Sequence, residues 1–328
     1  VISRTSGAKR LGAAVIASGL LVTGAPAVSA YAADSPQPST STATTTATSS
    51  SASTLATLPS ISAKGAYLLD VSANRTRYSK AGTTKRPLAS TTKIMTAIVV
   101  LEQSNLNLDR LVTIKQTYRD YVVREGASTA DLKAGDKLTV RQLLDALMLP
   151  SGCDAAYALA DTFGRGTSIK ARTTSFISQM NSKAVALGMT RTKFDSFDGI
   201  SPNGYTYSTP QDMARLARRA ITNKTLRAVT TKKKSVQRAT NGRTYTWYNT
   251  NKLLGSYTGA IGIKTGTGTA AGPCLVFAAS RNGHVVAGVV LNDTNRYTDA
   301  AKLLDYAYGS STASTMTLRQ LPAGAQQD

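Results

Sequence analysis

Strand-like segments lie near both ends of the foldable part of this 328-residue chain, with helical segments between them. At the front, Gly65-Ala66-Tyr67-Leu68-Leu69 reads as a strand, Asp70 to Asn74 as a turn and Arg77-Tyr78-Ser79 as the returning strand. Far downstream come Ile261 to Thr267, Leu275 to Ser280 and His284 to Leu291. Asn282-Gly283 joins the last two and is a strong two-residue hairpin signal. These strands can share one core only if segments from both ends pair. The expectation is therefore an α/β fold whose sheet is largely antiparallel, with a helical region inserted. Ser90 to Leu101 is apolar enough for a helix running into the core. Thr139 to Leu149 puts Val140, Leu143, Leu144, Leu147 and Met148 on one face, with Thr139 placed to cap and Pro150 to stop. Cys153 to Phe163, Thr174 to Leu187, Thr209 to about Ala220 and Asp299 to Tyr308 are further predicted helices.

The first thirty residues set the expected compartment. Arg4, Lys9 and Arg10 precede a short apolar run, Leu11 to Val22, and small residues then offer cleavage between 30 and 33. That is the form of a signal peptide over residues 1–30, and the run is too short for a confident membrane span. Residues 31–60 are dominated by Ser, Thr, Ala and Pro and read as a flexible tether. The catalytic domain is expected over 61–309, mainly helical over about 112–255, with a polar tail over 310–328 and no C-terminal membrane anchor. Lys and Arg outnumber Asp and Glu by 39 to 18, a formal charge of +21. In a secreted chain that points to an anionic cell wall or membrane surface rather than to nucleic acid. The tether points to a monomer. Two cysteines, Cys153 and Cys274, make no disulfide framework.

One histidine, His284, beside a hairpin turn, is a poor basis for a Ser-His-Asp triad. No ligand cluster of metal spacing and no phosphate-cradling Gly motif is present, so neither metal nor cofactor is expected. Ser90-Thr91-Thr92-Lys93 remains. Residues i and i+3 share a helix face, so Lys93 can reach the Ser90 hydroxyl and take its proton. Free N–H groups at the helix start can stabilise developing negative charge. Alone, S-x-x-K is weak. Here it is followed by Ser151-Gly152-Cys153 in a loop between predicted helices, and by Lys264-Thr265-Gly266-Thr267 on a predicted strand. Serine-lysine acyltransfer sites use three such elements in this order.

The likeness extends over Ala66 to Asp70, Arg86 to Ala97, Phe194 with Asp198-Gly199, Ser208-Thr209 with Asp212-Met213-Ala214, Asn249 to Leu254 and Gly262 to Val276. In these segments the chain resembles the low-molecular-mass penicillin-binding proteins of the D-alanyl-D-alanine carboxypeptidase family, peptidase family S11. The resemblance implies a penicillin-binding-protein/β-lactamase-like fold: a five-stranded antiparallel sheet flanked by helices, with a mainly helical insertion. It implies that Ser90 attacks the carbonyl between the last two D-alanines of a peptidoglycan stem peptide, and that Lys93 takes its proton. Ser151 would then relay a proton to the leaving D-alanine. Lys264 and Thr265 would bind the substrate carboxylate, with Cys153, Gly266 and Thr267 also lining the substrate site. The backbone N–H groups of Ser90 and Thr267 would form the oxyanion hole, and β-lactam antibiotics would acylate Ser90. One position departs from the family pattern: Cys153 stands where Asn is usual. A thiol is a weak donor and cannot replace an amide's contact with the substrate. That is compatible with an enzyme that prefers an amine acceptor, a transpeptidase, or with a slow carboxypeptidase.

Two other readings use the same residues. A class A β-lactamase needs a glutamate for deacylation, and no Glu lies between Ser151 and Lys264. A non-catalytic wall-binding protein would fit the charge and tether but would leave Ser90, Lys93, Ser151 and Lys264 without a purpose.

Overall fold

A computed structural model describes residues 57–327. The proposed signal peptide and most of the tether, residues 1–56, lie outside the described residues. β1 (Gly65–Asp70) and β2 (Arg75–Lys80) form the first hairpin, and β3 (Arg86–Pro87) leads into a 3-10 turn, Ala89–Thr92, that opens α1 (Lys93–Leu101). The insertion runs through β4 (Leu111–Thr113), α2 (Gln116–Glu125), β5 (Lys137–Thr139), α3 (Val140–Met148), α4 (Cys153–Phe163) and α5 (Ile169–Ala186). It continues with β6 (Tyr207–Ser208), α6 (Pro210–Thr222), α7 (Lys224–Thr230), β7 (Lys234–Arg238) and β8 (Thr244–Tyr248). β9 (Ala260–Gly266), β10 (Cys274–Arg281) and β11 (His284–Leu291) bring the chain back, and α8 (Arg296–Tyr308) follows.

The main sheet has five strands in the order β2-β1-β11-β10-β9. The strand that begins the domain pairs antiparallel with the one that ends the sheet, Gly65 opposite Leu291. Alternation along a strand separates its side chains into two faces. Ala66 and Leu68 join Leu275, Phe277 and Val290 on the face covered by α8, through Ala300, Leu303 and Leu304. Tyr67 joins Val276, Ala278, Ala287 and Val289 on the face that meets α1 and α6. Both faces being covered explains why the last strands read as near-continuous apolar runs.

Local chemistry sets several boundaries. Thr139 caps α3 in a capping box with Gln142, and Thr209 caps α6 by accepting from the Asp212 N–H. α5 begins at Ile169, five residues before the sequence indicates, because the Ser168 hydroxyl accepts from the Ala171 N–H and starts the helix there.

Buried carboxylates tie the insertion together. Asp161 of α4 accepts hydrogen bonds from Lys115, Tyr118 and Arg172, each at 2.6 Å. Burial works to raise the Asp161 carboxyl, but the bonds from Arg172, Lys115 and Tyr118 outweigh it and hold it below its ordinary value of 3.8. A carboxylate lowered by folding contributes stability above the ordinary value and loses it as pH falls through the folded value. Asp161→Asn is expected to lower the melting temperature by about 5 °C or more at pH 6, with the gap closing towards pH 3. Melting curves of both proteins across that range check this, and a gap independent of pH would refute the linkage.

Candidate active site

Ser90 sits in the 3-10 turn that opens α1, directly after Ala89, whose φ is +46°. A non-glycine residue in the left-handed region costs about 1–2 kcal/mol, so surrounding contacts must impose the turn. The spacing from 90 to 93 then brings the Lys93 side chain back over the turn. Lys93 Nζ donates to Ser90 Oγ at 2.8 Å and to the Asp198 carbonyl at 3.0 Å. The lysine is fully buried, whereas Ser90 is half-buried and faces a cleft.

The Asp198 carbonyl is held by its own loop. Asp198 Oδ2 accepts from the Tyr121 hydroxyl at 2.7 Å, and Thr96 Oγ1 of α1 donates to the neighbouring Phe197 carbonyl. Burial, and then the adjacent Asp198, push the Tyr121 phenol well above its ordinary value, so it stays a donor. Gly199 has φ +99°, and a Cβ there would overlap the Ala89 carbonyl. The loop therefore lies flat against the backbone that carries Ser90.

β9 approaches from the other side. A Cβ at Gly266 would come within 2.9 Å of both the Ser90 and Thr91 nitrogens, so only glycine allows this strand to lie so close to the start of α1. Thr267, next along, is exposed and lines the same cleft as Ser90. Lys264 and Thr265 are buried behind it. Lys264 Nζ donates to the Thr265 carbonyl at 3.0 Å, and the Thr265 hydroxyl shares a 2.6 Å bond with that of Thr250. Arg296, which the sequence reading did not single out, fixes the end of β9. Its Nη1 donates to the Gly266 carbonyl at 3.1 Å, the Thr267 hydroxyl at 2.9 Å and the Cys274 carbonyl at 3.3 Å. No local pattern marks this arginine, because it acts on residues about thirty positions away.

The middle motif supplies the third wall. Ser151 has φ +65° and a fully buried hydroxyl with no hydrogen-bond partner. Cys153 begins α4 and lines the cleft, its Sγ 3.6 Å from Ser128 Oγ and 4.0 Å from the Ser151 carbonyl. Burial pushes the Cys153 thiol up to about 12, against the partial pull of Lys93, so at neutral pH it is protonated. Ser128 Oγ donates to the Ser151 carbonyl at 2.7 Å and braces the turn.

These walls enclose a cavity of about 680 Å³ lined by Ser90, Cys153, Ile200, Thr267 and Ala270, among others. His284 is not among its lining residues; it begins the central strand β11 and bonds to Asp70 of the neighbouring β1 at 2.9 Å. Among the described residues, no three His, Cys, Asp or Glu side chains are placed to hold a metal ion. The arrangement joins a hydroxyl to a buried amine at the mouth of a cleft, with backbone N–H groups beside it. That is the equipment for acyl transfer.

Comparison with known proteins agrees. Residues 50–295 match the family model described as D-alanyl-D-alanine carboxypeptidase, Peptidase_S11. The D-alanyl-D-alanine carboxypeptidase of Streptomyces sp. strain K15 is 53% identical over 264 residues, covering 78% of this chain and 90% of the relative. The D-alanyl-D-alanine carboxypeptidase DacB2 of Mycobacterium tuberculosis is 34% identical over 229 residues, covering 68% and 74%. Among solved structures, the Streptomyces K15 DD-transpeptidase superposes with a TM-score of 0.75 at 52% identity, covering 77% of this chain and 99% of that one. An evolved putative penicillin-binding protein homolog from Mycobacterium tuberculosis gives 0.67 at 28% identity, covering 78% and 94%.

Proposed function

The chain belongs to the D-alanyl-D-alanine carboxypeptidase family, and from that premise we propose that it forms its acyl-enzyme on Ser90 and passes the acyl group mainly to an amine. The observation that carries this reading is the 2.8 Å bond between the Ser90 hydroxyl and the buried amine of Lys93. A lysine accepts a proton only as the free amine. In that state Lys93 takes the Ser90 proton as Oγ bonds to the carbonyl carbon of the penultimate D-alanine. The oxyanion points to the Ser90 and Thr267 N–H groups. Collapse breaks the C–N bond, and the proton returns from Lys93 to the departing D-alanine amine; the Ser151 hydroxyl, buried and without a partner in the free protein, joins as relay only once bound substrate offers it one. An ester on Ser90 remains. A second amine attacks it to give a cross-linked peptide, or water attacks to give the free acid. Lys264 and Thr265, expected from the sequence to bind the substrate carboxylate, lie buried behind the Thr267 wall of the cleft, so they brace that wall and lend it positive charge rather than line it.

Cys153 tips the balance towards the amine. A thiol protonated at neutral pH offers the substrate amide only a weak donor. Its wall therefore holds the acyl peptide less rigidly for attack by water than an amide side chain would. The stem peptide lies outside the cytoplasm, which fits the leader-like first thirty residues. Among the described residues no helix is long and apolar enough to cross a membrane.

The test is a diacyl-L-Lys-D-Ala-D-Ala donor with and without a glycine-type acceptor, following D-alanine release, together with intact mass before and after penicillin. The expected result is a penicilloyl adduct mapping to Ser90 and a peptide–acceptor product exceeding free acid. Free acid as the main product in the presence of acceptor would make the protein a carboxypeptidase. An adduct elsewhere, or none, would remove Ser90 from its role.

A further inference from the structure

The cleft that holds Ser90 is lined in part by the protein's own C-terminal segment. Gln326 and Gln327 border the same cavity as Ser90, Cys153 and Thr267. The Gln326 side-chain carbonyl accepts from the Thr129 N–H at 3.3 Å. Thr129 lies beside Ser128, which braces the Ser151 turn. This segment lies beyond residue 295, where the match to the family model ends.

Its route has one firm anchor and a loose end. Met316 packs on the core beneath α8. The Arg319 N–H donates to Ser256 Oγ at 2.7 Å, and Arg319 Nη2 donates to the Asn249 and Asn251 carbonyls at 2.5 and 3.2 Å. Those two asparagines flank Thr250, the hydroxyl partner of Thr265. Past Arg319 the chain turns once, the Ala325 N–H donating to the Pro322 carbonyl at 3.1 Å, and residues 322–324 are exposed. The anchor fixes where the last residues lie, while the segment beyond it is held lightly enough to be displaced.

We propose that residues 322–327 are an intramolecular ligand of the donor cleft, a competitor tethered at Arg319 that a stem peptide displaces before Ser90 is acylated. The inference rests on the reading of Ser90 as the acylated residue. A short flexible tether gives an effective concentration in the millimolar range. A segment whose intrinsic dissociation constant is of that order or somewhat lower occupies half or more of the clefts, and slows acylation by a factor of about 2 to 10.

The experiment compares the full chain with a variant ending at Leu321, which keeps Arg319. Acylation by penicillin is followed by intact mass under second-order conditions. In parallel, a fluorescent peptide Leu-Pro-Ala-Gly-Ala-Gln-Gln-Asp is titrated into the shortened protein carrying Ser90→Ala, and a D-Ala-D-Ala peptide is added to displace it. The expected result is acylation faster by about 2- to 10-fold in the shortened protein, with peptide binding that the donor reverses. Equal acylation rates overturn the proposal, and so does a peptide that fails to bind or that the donor does not displace. If neither protein gains a penicilloyl group, the Ser90 reading fails, and the titration still decides whether the segment occupies the cleft.

Discussion

Lys93→Met is expected to slow acylation of Ser90 by penicillin by about 10²- to 10⁴-fold, the range for losing a positioned general base. Methionine keeps an unbranched chain of similar length in a fully buried site, so the change removes the amine and little of the packing. Two groups then lose a donor, Ser90 Oγ and the Asp198 carbonyl. Ser90 is half-buried and can turn to water. The Asp198 carbonyl cannot do so freely, and leaving it unpaired costs about 1–3 kcal/mol. A domain with the usual 5–15 kcal/mol of stability survives that loss. The variant should melt cooperatively, a few degrees below the parent, and acquire its penicilloyl mass orders of magnitude more slowly. Acylation within tenfold of the parent would mean that another group takes the serine proton.

Gly199→Ala is expected to damage the site without touching any polar side chain. At φ +99° an alanine is strained, and its methyl group would meet the Ala89 carbonyl and come within 3.0 Å of the Ser90 nitrogen. The loop and the nucleophile turn cannot both keep their places. A shift of about 1 Å at a reacting atom costs on the order of 10²-fold in rate. The control is Gly188→Ala. Gly188 also has a positive φ, +69°, but no neighbouring atom lies within 4 Å of its would-be Cβ. Both variants carry backbone strain of about 1–3 kcal/mol, so both should lose some stability. Only Gly199→Ala should lose acylation rate. Equal rates for the two would mean that the Asp198-Gly199 loop does not position Ser90.

Much of this was legible in the residues, and the misses have physical reasons. The edges of α4 and β11 follow from the sequence because local chemistry sets them: Pro150 with Gly152 before one, Asn282-Gly283 before the other. Of the three motifs, the structure lines one cleft with Ser90, Cys153 and Thr267, while Ser151 and Lys264 are buried. The sequence could not show that Lys264 and Thr265 lie buried behind Thr267, since strand alternation gives a face and not a depth. It also left Ser151 without its observed isolation, which comes from a left-handed turn held by Ser128. The hairpin of β7 and β8 lies in a stretch read as mainly helical. Its stability is tertiary: Trp247 Nε1 donates to the Ala130 carbonyl at 2.8 Å, across 117 residues. Asn241-Gly242 before the alternating Thr244 to Tyr248 was the signal that could have revealed it. Arg296 and the segment past Arg319 act on residues far away in the chain, where no periodicity reaches.

The pairing of Gly65 with Leu291 has a consequence in time. β1 has two neighbours in the sheet, and one of them, β11, is synthesised more than 200 residues later. Until residue 291 is available, the first hairpin has no inner partner, and β9, which presses on Ser90, has no sheet to belong to. Ser90 is made early, but the strand that packs on it finds its place only late. A ribosome-bound or prematurely terminated chain therefore carries Ser90 without β9 against it, and the two are brought together in one late step when the two ends of the domain meet.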